Sequence, residues 1–251
     1  MKRIPIALQM YTLREASEKD FAGTLRRVAE MGYDGVELAG YGGLTALEVR
    51  ELLDTYGLRA AACHVPLHDL TCRLDGVLDD MKVLGSKYVV CPFLKAEERN
   101  ETFYRTLIPR LDEIGAVCRE KGISLCYHNH DFELARLSDG RTALETILDD
   151  TDAANVQAEF DVYWLAKRGE SPVEWLHKYR GRTPLVHLKD MTTDGEKFFA
   201  ELGTGGVDID SVLKWGRTST VDWWIVEQDD AKGSLFTSVA SSLAYLKKKG
   251  T

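Results

Sequence analysis

The sequence contains no Cys-x-x-Cys spacing, and its five cysteines (Cys63, Cys72, Cys91, Cys118, Cys126) form an odd set. Neither a disulfide framework nor a cysteine zinc site is suggested, and reduced thiols in a cytoplasm fit best. No run of about 18 apolar residues occurs, so no membrane span is expected. The amino terminus, Met1-Lys2-Arg3-Ile4-Pro5-Ile6, leads into a short apolar run that holds Pro5 and ends in polar residues, which predicts a soluble, unprocessed chain. Positive charge is also scarce: 32 Lys and Arg against 40 Asp and Glu give a net charge of -8, which works against nucleic acid or an acidic membrane surface as partner. There is no internal repeat, low-complexity tract or linker. Where a doubly wound sheet would carry a glycine-rich phosphate loop after its first strand, the chain reads Leu8-Gln9-Met10-Tyr11-Thr12.

What is present is an alternation. Apolar runs recur at Ile4 to Gln9, Gly35 to Leu38, Ala60 to Val65, Tyr88 to Cys91, Ser124 to His128, Val156 to Phe160, Leu185 to Leu188 and Trp223 to Glu227, each followed by helical spacing. Eight such pairs in 251 residues, 44% of them apolar, predict one (β/α)8 TIM barrel over residues 1–251.

Phe21, Leu25, Val28 and Ala29 follow the spacing of a helix with one face on a sheet, as do Val49, Leu52, Leu53 and Tyr56. Phe103, Leu107, Leu111, Ile114 and Cys118 mark a long fourth helix, and Phe236, Val239, Ala240 and Leu243 the last. Ser171-Pro172-Val173-Glu174 reads as a helix start. Gly32, Gly57, Gly122 and Gly181 lie where left-handed C-caps are wanted, and Asp149-Asp150-Thr151-Asp152 reads as a helix-to-strand turn.

In a barrel of parallel strands, polar residues at the strand C-termini face the catalytic mouth. Those ends carry Gln9, Glu37, His64, His128 with His130, Glu159 with Asp161, His187 with Lys189, and Glu227. His68 falls in the loop after the third strand and His177 in a helix. Because side chains alternate along a strand, each i, i+2 pair points one way, so three polar pairs converge on one rim. Charge gathered in a partly dry site needs compensation, and a divalent cation supplies it. Imidazole with carboxylate suits manganese, zinc, cobalt or iron(II) better than calcium.

The segments Asp34-Gly35-Val36-Glu37-Leu38, Tyr127-His128-Asn129-His130-Asp131-Phe132-Glu133, Phe160-Asp161-Val162-Tyr163-Trp164, Val186-His187-Leu188-Lys189-Asp190 and Ile225-Val226-Glu227 together resemble the xylose isomerase-like TIM barrel superfamily, in its sugar phosphate isomerase/epimerase and inosose dehydratase branches. The resemblance spans the whole chain. It implies a divalent metal, manganese first, with cobalt, zinc, iron or magnesium as alternatives. The implied ligands are Asp161, His187 and Glu227, with His128 at the fifth-strand position where the family usually has glutamate. A second departure is Trp164, where epimerases carry histidine.

The resemblance further implies a keto-sugar, sugar phosphate or keto-inositol substrate reacting through an enediolate; Glu227, His130 or Lys189 is expected to carry the proton. Gln9, Glu37, His64 and Trp164 are expected to bind substrate. Reprotonation would make the protein an isomerase or epimerase, whereas loss of a β-hydroxyl or glycosyl group would make it a lyase. A catalytically silent sugar-binding barrel is a third reading. A metal-dependent nuclease is disfavoured by the charge, and a homo-oligomer or partner subunit stays open.

Several residues carry a structural alternative. Asp161, His187 and Glu227 could form a buried ion-pair network, and His128 and His130 could be hydrogen-bonded core histidines. Glu37 and His64 could pair with neighbouring strands, and Lys189 with Glu159 or Asp190. The Gly203-Thr204-Gly205-Gly206 segment reads either as a phosphate loop or as a plain turn, with Asp208 capping the next helix. Trp164, Tyr11 and Phe93 are aromatic candidates for stacking on a sugar face or for simple packing.

Overall fold

The structure, a computed structural model, describes residues 3–250. Eight parallel strands close a barrel: β1 (Ile6–Gln9), β2 (Gly35–Leu38), β3 (Arg59–His64), β4 (Tyr88–Cys91), β5 (Ser124–His128), β6 (Val156–Asp161), β7 (Leu185–Leu188) and β8 (Trp223–Val226). Each strand pairs with its sequence neighbours, and β1 pairs with β8 to close the ring. The expected barrel is therefore the observed fold. Boundaries move by one or two residues: β1 starts at Ile6 rather than Ile4, β3 runs from Arg59 to His64, β6 extends to Asp161, and β8 stops at Val226.

Eight principal helices surround the sheet: α1 (Phe21–Met31), α2 (Ala46–Tyr56), α3 (Leu74–Leu84), α4 (Glu101–Glu120), α5 (Ala143–Asp149), α6 (Pro172–Lys178), α7 (Ile209–Gly216) and α8 (Leu235–Lys248). Phe21, Leu25 and Val28 of α1, and Val49 and Leu53 of α2, are buried, as the spacing predicts. Ser171 starts α6 by accepting the Glu174 N–H, with Pro172 at the first helical position. Gly32, Gly57 and Gly122 are left-handed, but Gly181 is not. It lies inside the short 3-10 turn Arg180–Arg182, so no left-handed cap is needed there. All five cysteines are free. Among the described residues no helix is long and apolar enough to cross a membrane.

The inward columns of the strands explain where chemistry collects. Period-two alternation puts Ala7 below Gln9, Gly35 below Glu37, Ala62 below His64, Cys126 below His128, Leu185 below His187 and Ile225 below Glu227. The lower layer is apolar and holds Ala7, Ala62, Val90, Cys126, Leu185, Trp223 and Ile225 in one packed cluster. Gly35 is required there, since a Cβ would lie 2.4 Å from the Arg59 carbonyl oxygen and 3.0 Å from the Trp223 ring. The upper layer is polar. A register shift between Val36 and Glu37 offsets β2 against β3 at the level of the polar layer.

Candidate active site

Adjacent strand ends set the polar layer in register: Gln9 opposite Glu37, His128 opposite Glu159, Asp161 opposite His187. Glu37 is fully buried, and its Oε2 accepts Gln9 Nε2 at 2.7 Å and lies 2.6 Å from His187 Nε2 and 3.1 Å from His64 Nε2. Glu159 Oε1 gathers three imidazoles, with His64 Nε2 at 2.8 Å, His187 Nε2 at 3.0 Å and His128 Nδ1 at 3.0 Å. The His128 contact is close but not aligned as a hydrogen bond. The other His187 nitrogen, Nδ1, faces Glu227 Oε2 at 2.9 Å and Asp161 Oδ2 at 4.0 Å.

Lys189 lies just beyond β7, and its side chain is 2% exposed. Its Nζ lies 3.2 Å from Asp161 Oδ2, 2.9 Å from Glu227 Oε2 and 3.0 Å from Asp229 Oδ2. The expected alternative partners, Glu159 and Asp190, are not the ones it meets. Glu159 is taken up by imidazoles, and Asp190 turns to the glycine segment. There Asp190 accepts the N–H groups of Gly203, Gly205 and Val207 at 3.0, 3.1 and 2.9 Å. A Cβ on Gly205 would come within 2.4 Å of that carboxylate. The segment is thus a turn whose amides are already bound to an internal anion rather than a phosphate loop. Asp208 caps α7 through the Ser211 N–H, as expected.

Charge in this layer follows from burial and close partners. Burial opposes ionisation of Glu37, but His64 and His187 outweigh it and hold the carboxyl below its usual range. Burial opposes protonation of His64, yet Glu37 and Glu159 push it up to about 10; His187 is raised by Glu159 and Glu37 in the same way. Lys189 is raised by Asp161, Glu227 and Asp229 against its burial. Burial lifts Asp229 to about 6, with Glu227 adding to the effect. Burial, then Lys189, drives His130 down to about 3, so it is neutral.

Above this floor opens a cavity of about 1140 Å³, lined in part by His64, His128, His130, Trp164, Lys189 and Glu227. Gln9 and Glu37 do not line it. Both were expected to touch substrate, but they are fully buried: Gln9 donates to Glu37, and Glu37 meets His187 Nε2. His64 and Trp164 do line it. His130 stands among rings, stacked on Phe132 at 5.5 Å, edge-on to Phe93 at 5.3 Å, and 5.5 Å from Trp164. His130 Nδ1 and Trp164 Nε1 are buried without a hydrogen-bond partner. His68 lies in the short helix Leu67–Cys72, and His177 in α6, outside the site.

Metal-binding chemistry fits these residues. One donor atom each from His128, Asp161, His187 and Glu227 lies within 4.8 Å of the others, all four residues being buried. Asp161 Oδ2 and His128 Nδ1 have close neighbours, Lys189 Nζ at 3.2 Å and Glu159 Oε1 at 3.0 Å, but no aligned hydrogen bond, and a cation would complete their coordination. Glu37 and Glu159 occupy His187 Nε2, which leaves Nδ1 to meet a metal on the Asp161 and Glu227 side. This is the carboxylate–imidazole support that metal ligands commonly have. A second group of donors, His64, His128, Glu159 and His187, also lies within 4.8 Å, but it uses the same two histidines and centres on the supporting carboxylate.

Two contributors were not anticipated. Asn129 Oδ1 accepts the Asp161 N–H at 3.0 Å, fixing the end of β6, while Asp161 Oδ1 caps the short helix Val162–Lys167. Asp229 holds Lys189 and lines the cavity. The i, i+2 rule applied to Glu227 would have found Asp229; nothing in the sequence distinguishes Asn129 from a linker between the two histidines.

Replacing Glu37 by glutamine should weaken manganese binding tenfold to hundredfold, the usual effect of losing an outer-sphere carboxylate. Calorimetric titration of manganese into the variant checks this. Unchanged affinity in a folded variant would show that Glu37 does not orient His187.

A family model described as xylose isomerase-like TIM barrel matches residues 25–249. An inosose dehydratase of Clostridium beijerinckii is 27% identical over 169 residues, 60% of this chain and 56% of that protein. Another, from Clostridium perfringens, is 24% identical over 222 residues, 81% of this chain and 69% of that one. The chain therefore spans little more than half the length of the first of these relatives. A sugar phosphate isomerase/epimerase from Parabacteroides distasonis shares the fold with a TM-score of 0.85 at 24% identity, over 98% of both chains.

Proposed function

The chain belongs to the xylose isomerase-like TIM barrel family, and on that premise we propose that it is a divalent-metal-dependent enzyme that removes a proton beside the carbonyl of a keto-sugar, sugar phosphate or keto-inositol. The observation that carries this reading is the convergence of His128, Asp161, His187 and Glu227 within 4.8 Å at the floor of a 1140 Å³ cavity. When bound there, a cation such as manganese would supply Lewis-acid stabilisation of negative charge developing on substrate oxygens.

The remaining chemistry belongs to the side chains. Glu227, at the border of floor and cavity, takes the proton. Lys189 keeps its own proton, because three carboxylates surround Nζ, and as a fixed cation it stabilises negative charge on a substrate oxygen. Asp229, with its side chain 23% exposed, joins Lys189 to solvent. His130, held neutral by burial and then Lys189, lines the cavity, where its ring can relay a proton or hydrogen-bond a substrate hydroxyl.

Returning the proton gives epimerisation or isomerisation. A second reading, elimination of a β-substituent, is favoured by Lys189, whose ammonium can hydrogen-bond a leaving hydroxyl while the proton taken up by Glu227 returns to that oxygen and releases water, and by His128 standing where a second carboxylate base would be. The inosose dehydratase relatives agree with that reading. Incubating the manganese-loaded protein with keto-sugars and scyllo-inosose in deuterium oxide tests both. Deuterium beside the carbonyl in recovered or epimeric sugar supports isomerase chemistry, and an unsaturated or dehydrated product supports the lyase. No exchange and no product, with ligand bound, would make this a sugar-binding barrel.

A further inference from the structure

Among the described residues only two aromatic side chains are exposed, Tyr11 at 48% and Phe93 at 47%, and both line the same cavity. Tyr11 follows β1 and Phe93 follows β4, so they bracket the loops after β2 and β3. The wall between them includes Tyr41, Leu44, Cys63 and Val77. This side of the cavity combines apolar surface with the charged side chains of Asp69, Arg73 and Asp80, and Phe93 joins it to the floor through an edge-on contact with His130 at 5.3 Å.

Both rings are braced. The Arg14 guanidinium lies 4.6 Å from the Tyr11 ring centre, and its Nη1 donates to the carbonyls of Tyr11 and Asp229 at 3.2 and 3.0 Å. The Arg99 guanidinium lies 4.6 Å from the Phe93 ring and 3.9 Å from the Phe132 ring, with Nε bound to the Leu94 carbonyl at 3.0 Å. Exposed aromatic rings lose solvation benefit unless something covers them, and bracing reduces the ordering cost of covering them.

Size points the same way. Cavities that enclose most of a drug-sized ligand measure about 300–1,000 Å³. One sugar ring is smaller than such a ligand, yet this cavity reaches 1140 Å³. A monosaccharide on the floor would leave the Tyr11–Phe93 lobe unfilled.

We propose that the ligand is a glycoside with two rings: the sugar that reacts lies on the polar floor, and a second ring joined to it lies in the lobe between Tyr11 and Phe93. The inference rests on the floor being the sugar site, as proposed above, and adds the substrate class. The shared requirement of the lobe is a six-membered ring with an apolar face, which a second sugar or an aryl group satisfies.

Calorimetric titration of the manganese-loaded full chain with glucose, cellobiose, maltose and 4-nitrophenyl β-glucoside tests this. At least one two-ring compound should bind about tenfold more tightly than glucose, the scale of one or two ring contacts. Tyr11→Ala and Phe93→Ala should each remove most of that ratio; both side chains are exposed, so the fold tolerates the changes. A gain for the disaccharides identifies a second sugar, and a gain for the nitrophenyl glucoside alone identifies an aromatic group. No gain for any of them, or a gain that survives both substitutions, overturns the proposal. Manganese titration of the same samples reads the floor separately, so lost two-ring preference with intact metal binding fails this inference alone.

Discussion

His187→Ala and Asp161→Asn should each lose manganese and catalysis together. Protein purified without added metal or chelator should carry about one divalent ion per chain by elemental analysis, and the variants essentially none. Turnover should fall by a factor of roughly 10³ or more, which corresponds to the several kcal/mol that Lewis-acid stabilisation contributes. His187 has the largest expected effect because it is fully buried and touches three carboxylates of the floor: Nε2 meets Glu37 and Glu159, and Nδ1 meets Glu227. Asp161→Asn keeps the shape and the helix cap while removing one anionic ligand, so it guards against a folding artefact.

The same geometry sets the pH dependence. Burial lowers the tendency of His187 to hold a proton, but Glu159 and Glu37 outweigh it, so the metal-free imidazole is protonated. A metal must displace that proton, and binding therefore weakens as pH falls. Titrations at pH 6 and pH 8, in two buffers of different ionisation enthalpy, read the released proton directly. Normal metal content in His187→Ala would mean that these four residues are a polar network and not a ligand set.

The barrel was legible in the sequence because its signal is repeated: eight apolar runs, each followed by helical spacing, leave little freedom once the strands must close. The polar ring was legible for a related reason. Strand alternation and the rule that the mouth lies at the C-terminal ends together select Glu37, His64, His128, Asp161, His187 and Glu227 without any knowledge of contacts. Depth within that ring was not legible. Gln9 and Glu37 end their strands as His64 does, yet both are fully buried and bind inward, Gln9 to Glu37 and Glu37 to His187, and neither lines the cavity. The partners of Lys189 were also hidden, since Asp229 lies 40 residues away in the chain and meets it only through closure of β7 on β8. The glycine segment shows the same limit. Its composition suits either a phosphate or a turn, and only the fold brings the Asp190 carboxylate onto its amides.

Replacing Lys189 by methionine, of similar length but without charge, should lower the melting temperature of the metal-free protein by on the order of 10 °C. Removing one member of a buried charge network costs about 3–5 kcal/mol, and each kcal/mol moves a domain of this size by roughly 2–4 °C. The loss arises because Asp161, Glu227 and Asp229 would then face one another with no cation between them. Saturating manganese should restore part of it, since a divalent ion beside Asp161 and Glu227 replaces the missing charge. The gap between metal-free and manganese-loaded protein should therefore be wider in the variant than in the wild type. Acid acts in the same direction. Burial, reinforced by Glu227, already lifts Asp229 to about 6, and burial raises Asp161 as well. A carboxyl with a raised folded-state pKa contributes stability at low pH and loses it as pH rises through that value. The difference between variant and wild type should therefore narrow as pH falls from 8 towards 5. Turnover of Lys189→Met, assayed with metal well below either melting temperature, should fall about 10²- to 10³-fold, as expected for loss of one preorganised electrostatic contact. A melting-temperature loss with turnover intact would confine Lys189 to holding the carboxylates in place. Equal melting temperatures with and without the lysine would refute the charge balance on which the whole floor is built.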